Sequence, residues 1–316
     1  MPLYLTEQDV DRLLNMEAAL FAVESVLRRQ ADGTALNLPR QRLMAAPDTH
    51  VNTMMASDSE LGVFGFKTYT YAGGVYRFFV FLSDNRTGEL LAIVEANRLG
   101  QLRTGAATGV ATGLMARPEA ATVGVIGSGY QARTQLEAVS KVRDLSAARV
   151  YSRNSEGRSA YASEMSERLG FDVSPVDSAH ASVEGADIVI TITSSRTPVL
   201  HGEWLEPGMH VTAVGGADPY VTELDNAAVQ RADLIVVDDL AQTRIESGEL
   251  MMTAGRGLVL WEQMVELWEI VSGRTPGRHR PEEVTLFKSL GMALWDIATA
   301  KAAYERAIAE GVGREV

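Results

Sequence analysis

The pattern of apolar and polar positions changes its period along the chain. Apolar residues first recur at helical spacing, and two helices are predicted to begin at Thr6 and Asn15. Residues 37–95 then form short alternating runs that are typical of strands, with a hairpin turn at residues 84–88. A helix over residues 103–115 is predicted to end this first region.

Strand and helix patterns alternate from Thr122 onwards. Strands are predicted at 123–126, 149–151, 187–193, 210–214 and 233–238, with helices after the first two, ending near Val142 and Leu169. The near-continuous apolar strands are typical of a parallel sheet that is covered on both faces. This region is therefore predicted to be a doubly wound α/β Rossmann unit. A last long helix, from Pro281 through Ala309, is expected to cross back onto the first region.

Length and composition exclude several classes of protein. A chain of 316 residues fits two domains, and its 46% hydrophobic and 22% charged residues are those of a soluble globular protein. A net charge of −12 opposes nucleic acid and anionic membranes as partners. There is no membrane-length apolar run, no signal-peptide pattern, no cysteine and no metal-ligand spacing among the five histidines. We expect a cytoplasmic enzyme without a metal.

One turn carries chemistry of its own. The predicted strand 123–126 ends in Gly127-Ser-Gly129-Tyr-Gln-Ala132, and a helical pattern follows at once. Gly127 allows a tight turn, Gly129 lets a pyrophosphate approach the backbone, and Ala132 lets the helix pack closely on the strand. The motif in this context predicts a site for NAD or NADP.

Several stretches together resemble the ornithine cyclodeaminase/mu-crystallin family, in the family's order over about residues 5–305. They are Pro39–Arg42, Phe66-Lys67, Leu102–Gly109, Val125–Ala132, Gly202–Gly208, Ala213–Gly216, Glu223–Asp225 and Phe287–Ala293. The resemblance implies an α+β substrate-binding and dimerisation domain, residues 1–118 plus 292–316, and an NAD(P)-binding Rossmann domain, residues 119–291. It also implies a homodimer that acts on small α-amino, imino or keto acids.

The same resemblance assigns the substrate site. It places Arg40, Lys67 and Arg103 at the substrate carboxylate, which needs cations. Lys67 and Arg103 are the catalytic candidates: a desolvated lysine beside an arginine should have a lowered pKa, which suits proton transfer. Arg77 is a candidate for a second carboxylate, as in iminosuccinate, or else an arginine that faces solvent. Arg42 is interpreted as structural.

The coenzyme site is predicted in three parts. The second Rossmann strand ends in Ser152-Arg153-Asn154 without the acid that binds an NAD ribose, so we expect NADP to be accepted without excluding NAD. Strand ends and the resemblance supply the rest, although Ser289 and Gly291 can equally be ordinary helix residues. The further coenzyme-binding candidates are Thr104, Gly127, Gly129, Tyr130, Gln131, Thr193, Ser194, Val214, Ser289 and Gly291.

One departure from the family pattern bears on the reaction. Cyclodeaminating members carry an aspartate where this chain has Ala217, and a carboxylate follows one residue later as Asp218. The resemblance therefore implies an NAD(P)H-dependent reductase of α-imino acids. A cyclodeaminase of ornithine or lysine with catalytic NAD, in which Asp218 replaces the aspartate, stays open, as does a non-catalytic ligand-binding protein.

Overall fold

The computed structural model describes all residues from Met1 to Val316. The chain forms two compact units, one of Met1–Ala106 with Gly291–Val316 and one of Ala107–Leu290. We call them the sheet unit and the nucleotide unit. The sequence predicts domain limits at 118/119 and 291/292. Those limits concern parts that fold independently, and they stay a prediction.

The sheet unit is built on a seven-stranded sheet of mainly antiparallel strands. In chain order its strands are β1 (Leu3–Leu5), β2 (Ala35–Ala46), β3 (Thr49–Asp58), β4 (Val63–Ala72), β5 (Val75–Asp84), β6 (Leu90–Glu95) and the last strand of the chain, β15 (Arg314–Glu315). Their order in the sheet is β15-β1-β6-β5-β4-β3-β2. The turn predicted at residues 84–88 does join β5 to β6. Gly73 and Gly74 join β4 to β5 with φ of 58° and 82°, which glycine adopts without strain.

Helices cover one face of this sheet. They are α1 (Glu7–Leu13), α2 (Met16–Ala31), the first part of α3 (Asn97–Met115) and the last helix of the chain, α11 (Ala293–Glu310). The predicted starts are confirmed: Thr6 forms a capping box with Asp9, and the Asn15 side chain caps α2. Helix α11 packs against α2, β3, β4 and β5.

The nucleotide unit is a doubly wound fold around eight parallel strands. Its strands are β7 (Thr122–Ile126), β8 (Ala147–Tyr151), β9 (Asp172–Pro175), β10 (Ile188–Thr191), β11 (His210–Ala213), β12 (Leu234–Val237), β13 (Val265–Glu266) and β14 (Thr285–Lys288), in the order β13-β12-β14-β11-β10-β7-β8-β9. Its helices are α4 (Ala132–Ser140), α5 (Ser155–Leu169), α6 (Ala179–Val183), α7 (Asn226–Arg231), α8 (Leu240–Glu246), α9 (Gly248–Gly255) and α10 (Leu267–Val271). Apolar clusters lie on both faces, as the near-continuous apolar strands indicated.

The predicted helix from Pro281 to Ala309 is wrong over its first twelve residues. Residues 285–288 form β14, which lies between β11 and β12, and α11 begins only at Ala293. Pro281-Glu-Glu resembles a helix start, but the Thr-Leu-Phe run that follows suits a buried central strand better than a helix. Helix α3 also begins six residues before the expected Arg103. No helix in the structure is both long and apolar enough to span a bilayer.

Candidate active site

Lys67 lies on the helix-covered face of β4. Its neighbours across the sheet, Met54 on β3 and Val80 on β5, are both fully buried. The Lys67 Nζ lies 5.4 Å from the centre of the Phe78 ring. On the helix side, a Cβ at Gly100 of α3 would lie 3.3 Å from Nζ. A lysine head group in such apolar surroundings needs a charged partner.

Asp296, in the first turn of α11, is that partner. Its Oδ1 accepts a hydrogen bond from Lys67 Nζ and another from Arg103 Nε, each 2.9 Å long. The side chains of Lys67, Arg103 and Asp296 are 4%, 7% and 0% exposed. One carboxylate oxygen therefore links a strand residue to a residue of α3, in surroundings where charge-assisted hydrogen bonds are strong.

These surroundings lower the pKa of Lys67 to about 8. Burial is the largest cause, because it penalises the charged ammonium, and the positive charge of Arg103 acts in the same direction. Asp296 opposes both effects, and Arg40 adds a smaller lowering. The expectation of a lowered lysine pKa is confirmed in direction and cause, and such a lysine can exchange its proton near neutral pH.

Gly291 brings Arg40 and Arg103 to the same corner of the sheet unit. Its carbonyl lies 3.5 Å from Arg40 Nη2, a long contact, and a Cβ at this position would collide with the Arg103 guanidinium. Its φ of 83° also favours glycine. Arg40 is buried like Arg103, with 6% of its surface exposed. The three predicted carboxylate-binding cations are thus all buried in the sheet unit, with Asp296 between two of them.

Arg77 does not join this group. It is paired with Thr70 on β4, three residues from Lys67, and alternate residues of a strand point to opposite faces. Arg77 is therefore on the opposite sheet face from Lys67, where it is exposed. Arg42 is on the same face as Lys67, and its Nε donates to Asn52 Oδ1 at 3.0 Å, which agrees with a structural role.

Aromatic side chains follow Lys67 along the same sheet face towards the β4–β5 turn. The rings of Tyr69 and Phe78 lie 5.1 Å apart, and those of Tyr71 and Tyr76 lie 4.8 Å apart. The His50 ring stacks on Tyr71 at 5.2 Å. All five are at least partly exposed, so they form an accessible aromatic surface beside the buried lysine.

The nucleotide unit presents the glycine turn as the sequence predicts it. Gly127 has a φ of 116°, and a Cβ there would collide with the Ile192 carbonyl. A Cβ at Gly129 would have no atom within 4 Å, so the backbone is open to a ligand. Helix α4 follows without a side-chain cap, whereas Asn154 caps α5. An open glycine backbone before an uncapped helix fits the pyrophosphate of a dinucleotide.

The residues after β8 have more local partners than the sequence indicates. Ser152 Oγ lies 2.8 Å from Ser128 Oγ, and the Asn154 side chain accepts from Gly157 N at 3.0 Å. Arg153 is exposed. Arg158, which the sequence reading missed, donates to the Ser152 carbonyl at 3.0 Å. Two arginines therefore follow this strand, and no carboxylate is among residues 152–154.

A buried ionic cluster holds the ends of β10, β11 and β14. Glu223 accepts hydrogen bonds from Thr193 N at 2.5 Å and Gly215 N at 2.8 Å. Burial raises the pKa of Glu223, and the charge of Lys288 opposes this shift. Lys288 Nζ donates to the Gly215 carbonyl at 2.9 Å and lies 2.8 Å from Glu249 Oε1. The N–H and the carbonyl group of Gly215 are thus both hydrogen-bonded to buried charged side chains.

The other predicted coenzyme residues lie at exposed or half-buried positions, except Ser289 and Gly291, which are buried. The Ser289 hydroxyl donates to Asp238 Oδ2 at 3.2 Å, and the residue is the first after β14, not part of a helix. In the sheet unit, the Thr104 hydroxyl donates to the Gly100 carbonyl at 2.7 Å. Ser194 and Tyr130 are exposed, Val214 is half-buried, and Gln131 Oε1 is buried without a hydrogen-bond partner. Their roles stay predictions.

Sequence reasoning missed Asp296 and the Glu223–Lys288–Glu249 cluster. A weak signal for Asp296 was present, since it is the only ionisable residue in the run Met292–Ala300, where every other residue except Thr299 is apolar. A buried acid predicts a buried cation, but the run does not say which one. Glu223 and Lys288 lie within the stretches that carry the family resemblance, but that resemblance assigned them no role.

Comparison with known proteins adds the family and its chemistry. A model of the ornithine cyclodeaminase/mu-crystallin family matches residues 2–311. A Delta(1)-pyrroline-2-carboxylate reductase of Bacillus cereus is 40% identical over 238 residues, which cover 75% of this chain and 73% of that protein.

Three solved structures extend this likeness to the whole chain. The Thermococcus litoralis Delta(1)-pyrroline-2-carboxylate reductase, in complex with NADH and L-proline, is 34% identical with a TM-score of 0.95, over 99% of this chain and 100% of that one. An archaeal alanine dehydrogenase dimer with bound NAD is 33% identical with a TM-score of 0.94, over 100% and 98%. The iminosuccinate reductase of Paracoccus denitrificans, in complex with NAD+, is 31% identical with a TM-score of 0.94, over 100% and 99%.

Proposed function

Because this chain belongs to the ornithine cyclodeaminase/mu-crystallin family, we propose that it is an NAD(P)H-dependent reductase of α-imino acids. The relatives described above are reductases and a dehydrogenase that act on imines or amino acids, so the chain is an oxidoreductase. The observation that carries the proposal is the buried Lys67, whose pKa is about 8, beside Arg103. This arrangement suits a substrate that has a carboxylate next to a nitrogen that gains a proton.

Each residue has one task in this reaction. The guanidinium groups of Arg40 and Arg103 bind the substrate carboxylate and fix the position of the imine carbon. Lys67 donates a proton to the imine nitrogen of the substrate, and its lowered pKa makes that transfer feasible near neutral pH. The nicotinamide coenzyme supplies the hydride when it is bound at the Gly127–Gly129 turn.

We assign the substrate side chain to the aromatic surface beside Lys67. Tyr69, Tyr71, Tyr76 and Phe78 offer ring faces and edges, which favour a compact apolar or cyclic group over a second carboxylate. Arg77 lies on the other sheet face, so the arrangement within one subunit lends no support to its role with iminosuccinate. A cyclic imino acid such as Δ1-pyrroline-2-carboxylate is the preferred substrate.

Cyclodeamination is the second candidate, and it depends on the loop after β11. Ala217 provides no carboxylate there. Asp218 Oδ1 accepts a hydrogen bond from Tyr220 N at 2.9 Å, so this side chain stabilises its own turn. That contact favours a structural Asp218 and, with it, the reductase. A ligand-binding protein without catalysis would have no use for a buried lysine of lowered pKa.

A coenzyme-oxidation assay separates these candidates. We expect the enzyme to oxidise NADH or NADPH with Δ1-pyrroline-2-carboxylate, and more slowly with oxaloacetate plus ammonia. Because Arg153 is exposed and residues 152–154 contain no acid, both coenzymes should be tested, and NADPH should be accepted. Ammonia release from ornithine or lysine, with no coenzyme oxidised on any imine, would instead establish the cyclodeaminase.

We also propose a homodimer that forms through the uncovered face of the seven-stranded sheet. Leu38, Met55, Phe66 and Phe81 are opposite one another in a row across four strands of that face. Leu38 is 53%, Met55 45% and Phe66 37% exposed, and an apolar patch of this kind marks an interface. A cytoplasmic location stays a prediction.

Charge on this row should separate the subunits. The double substitution Leu38→Glu with Met55→Glu places like charges in the proposed interface, so we expect a monomer in sedimentation or light-scattering measurements. Phe21→Glu on α2 is the matched control, because Phe21 is 75% exposed and lies away from this sheet face. If the double variant keeps the mass of the unmodified protein, the interface lies elsewhere.

A further inference from the structure

We propose that Asp296 is the positioning residue of the active site, the carboxylate that holds the Lys67 ammonium and the Arg103 guanidinium where the reaction needs them. This inference rests on the proposed function, because it assigns Lys67 the proton transfer. It goes beyond that function in naming a residue that touches neither substrate nor coenzyme and acts through Lys67 and Arg103.

The geometry of Asp296 supports this role. Its Oδ1 receives both cations at 2.9 Å, so one atom in the first turn of α11 fixes side chains from β4 and α3. The carboxylate is fully buried at the start of a helix. A carboxylate that is shared in this way restricts the rotamers of two long side chains at once, which lowers the entropy lost when a substrate binds.

This contact orients Arg103 and leaves part of its guanidinium group available to a substrate. It donates to Asp296 only through Nε, and its buried Nη1 has no hydrogen-bond partner. Guanidinium–carboxylate pairs often use the two parallel hydrogen bonds of the fork, and this pair uses a single nitrogen. The contact through Nε instead fixes the plane of the guanidinium while the terminal nitrogens stay uncommitted, which is the arrangement that binding of a substrate carboxylate requires.

The charges around Lys67 make its protonation depend on Asp296. Arg40 on β2 and Arg103 on α3 both act against the Lys67 ammonium, while β3 and β5 present apolar Met54 and Val80. Asp296 on α11 is the one negative group facing it. Of the three cations only the lysine can lose its proton near neutral pH, so removal of Asp296 would discharge Lys67.

The test is the pH dependence of kcat/KM for imine reduction by Asp296→Asn. A proton donor must be charged, so activity should decline as the pH rises through the pKa of Lys67, which is about 8. In the variant this decline should move to lower pH by about one to three units, with coenzyme affinity unchanged. Asp296→Glu keeps the charge and should keep the wild-type pH dependence even where kcat falls. An Asp296→Asn enzyme with the wild-type pH dependence would overturn the proposal.

Asp58→Asn is the matched control. Asp58 is a fully buried carboxylate of the same unit, and it pairs with Arg29 at 2.5 Å. Its substitution should lower the thermal midpoint without moving the pH profile. An equal shift in this variant would show that the effect of Asp296 is general destabilisation and would contradict the proposal.

A second measurement is independent of catalysis. The chain has four lysines, Lys67, Lys141, Lys288 and Lys301, so lysine labelled with ¹³C at Cε gives few signals, and Lys67→Met assigns the one that matters. The titration midpoint of Lys67 should fall in Asp296→Asn. If the wild type reduces no imine, the proposed function fails, yet this titration still supports or contradicts the positioning by Asp296.

Discussion

Lys67→Met is expected to abolish imine reduction and to leave coenzyme binding intact. Methionine keeps the unbranched apolar side chain over Phe78 but has no proton to give, and Asp296 retains Arg103 as its partner. General acid catalysis contributes roughly 100- to 10,000-fold, so kcat should fall by that factor. Steady-state rates with Δ1-pyrroline-2-carboxylate, together with a fluorescence titration of NADH, provide the measurement.

The control for this variant is Lys301→Met. Lys301 lies on α11, five residues after Asp296, and pairs with Glu305 at 2.9 Å. It carries the same charge and makes the same change of side chain, but it lies outside the buried cluster. Its turnover should match that of the wild type. Substantial activity in Lys67→Met would mean that another group, or water, protonates the substrate.

Gly129→Val is expected to weaken coenzyme binding strongly in a protein that still folds. The structure leaves open space where the new side chain begins, so the substitution causes no clash within the chain. The side chain would instead occupy the approach of the pyrophosphate to α4. Loss of one charged hydrogen bond, about 1.5–3 kcal/mol, would weaken NADH binding by roughly 10- to 150-fold. Fluorescence titration measures this loss, and circular dichroism checks the fold.

Substitutions of two other glycines serve as controls for Gly129→Val. Gly255, at the end of α9, also has open space around it, and Gly255→Val should bind NADH as the wild type does. Gly127→Ala should behave differently again, because its Cβ would meet the Ile192 carbonyl and its φ is positive. That variant should unfold at lower temperature. Unchanged NADH affinity in Gly129→Val would place the coenzyme elsewhere.

Local sequence patterns were enough to predict several parts of this protein. The Rossmann turn at 127–132, the parallel sheet, the two capped N-terminal helices and the hairpin at 84–88 all follow from periodicity and turn chemistry. Such features depend on neighbours within a few residues, which the sequence shows directly. The family resemblance then identified Arg40, Lys67 and Arg103 as parts of one site. They lie in separate stretches of the sequence, and no local pattern relates them.

The surroundings of those cations depend on how the chain packs in three dimensions. Asp296 is 229 residues from Lys67, and no periodicity relates two positions at that distance. Strand register placed Arg77 on the opposite face from Lys67, and a shift of one residue would have reversed this. The short run 285–288 was predicted as the start of a helix, and its place between β11 and β12 is a property of the packed sheet. Burial and partners are properties of the packed chain, so they decide pKa and orientation where local sequence cannot.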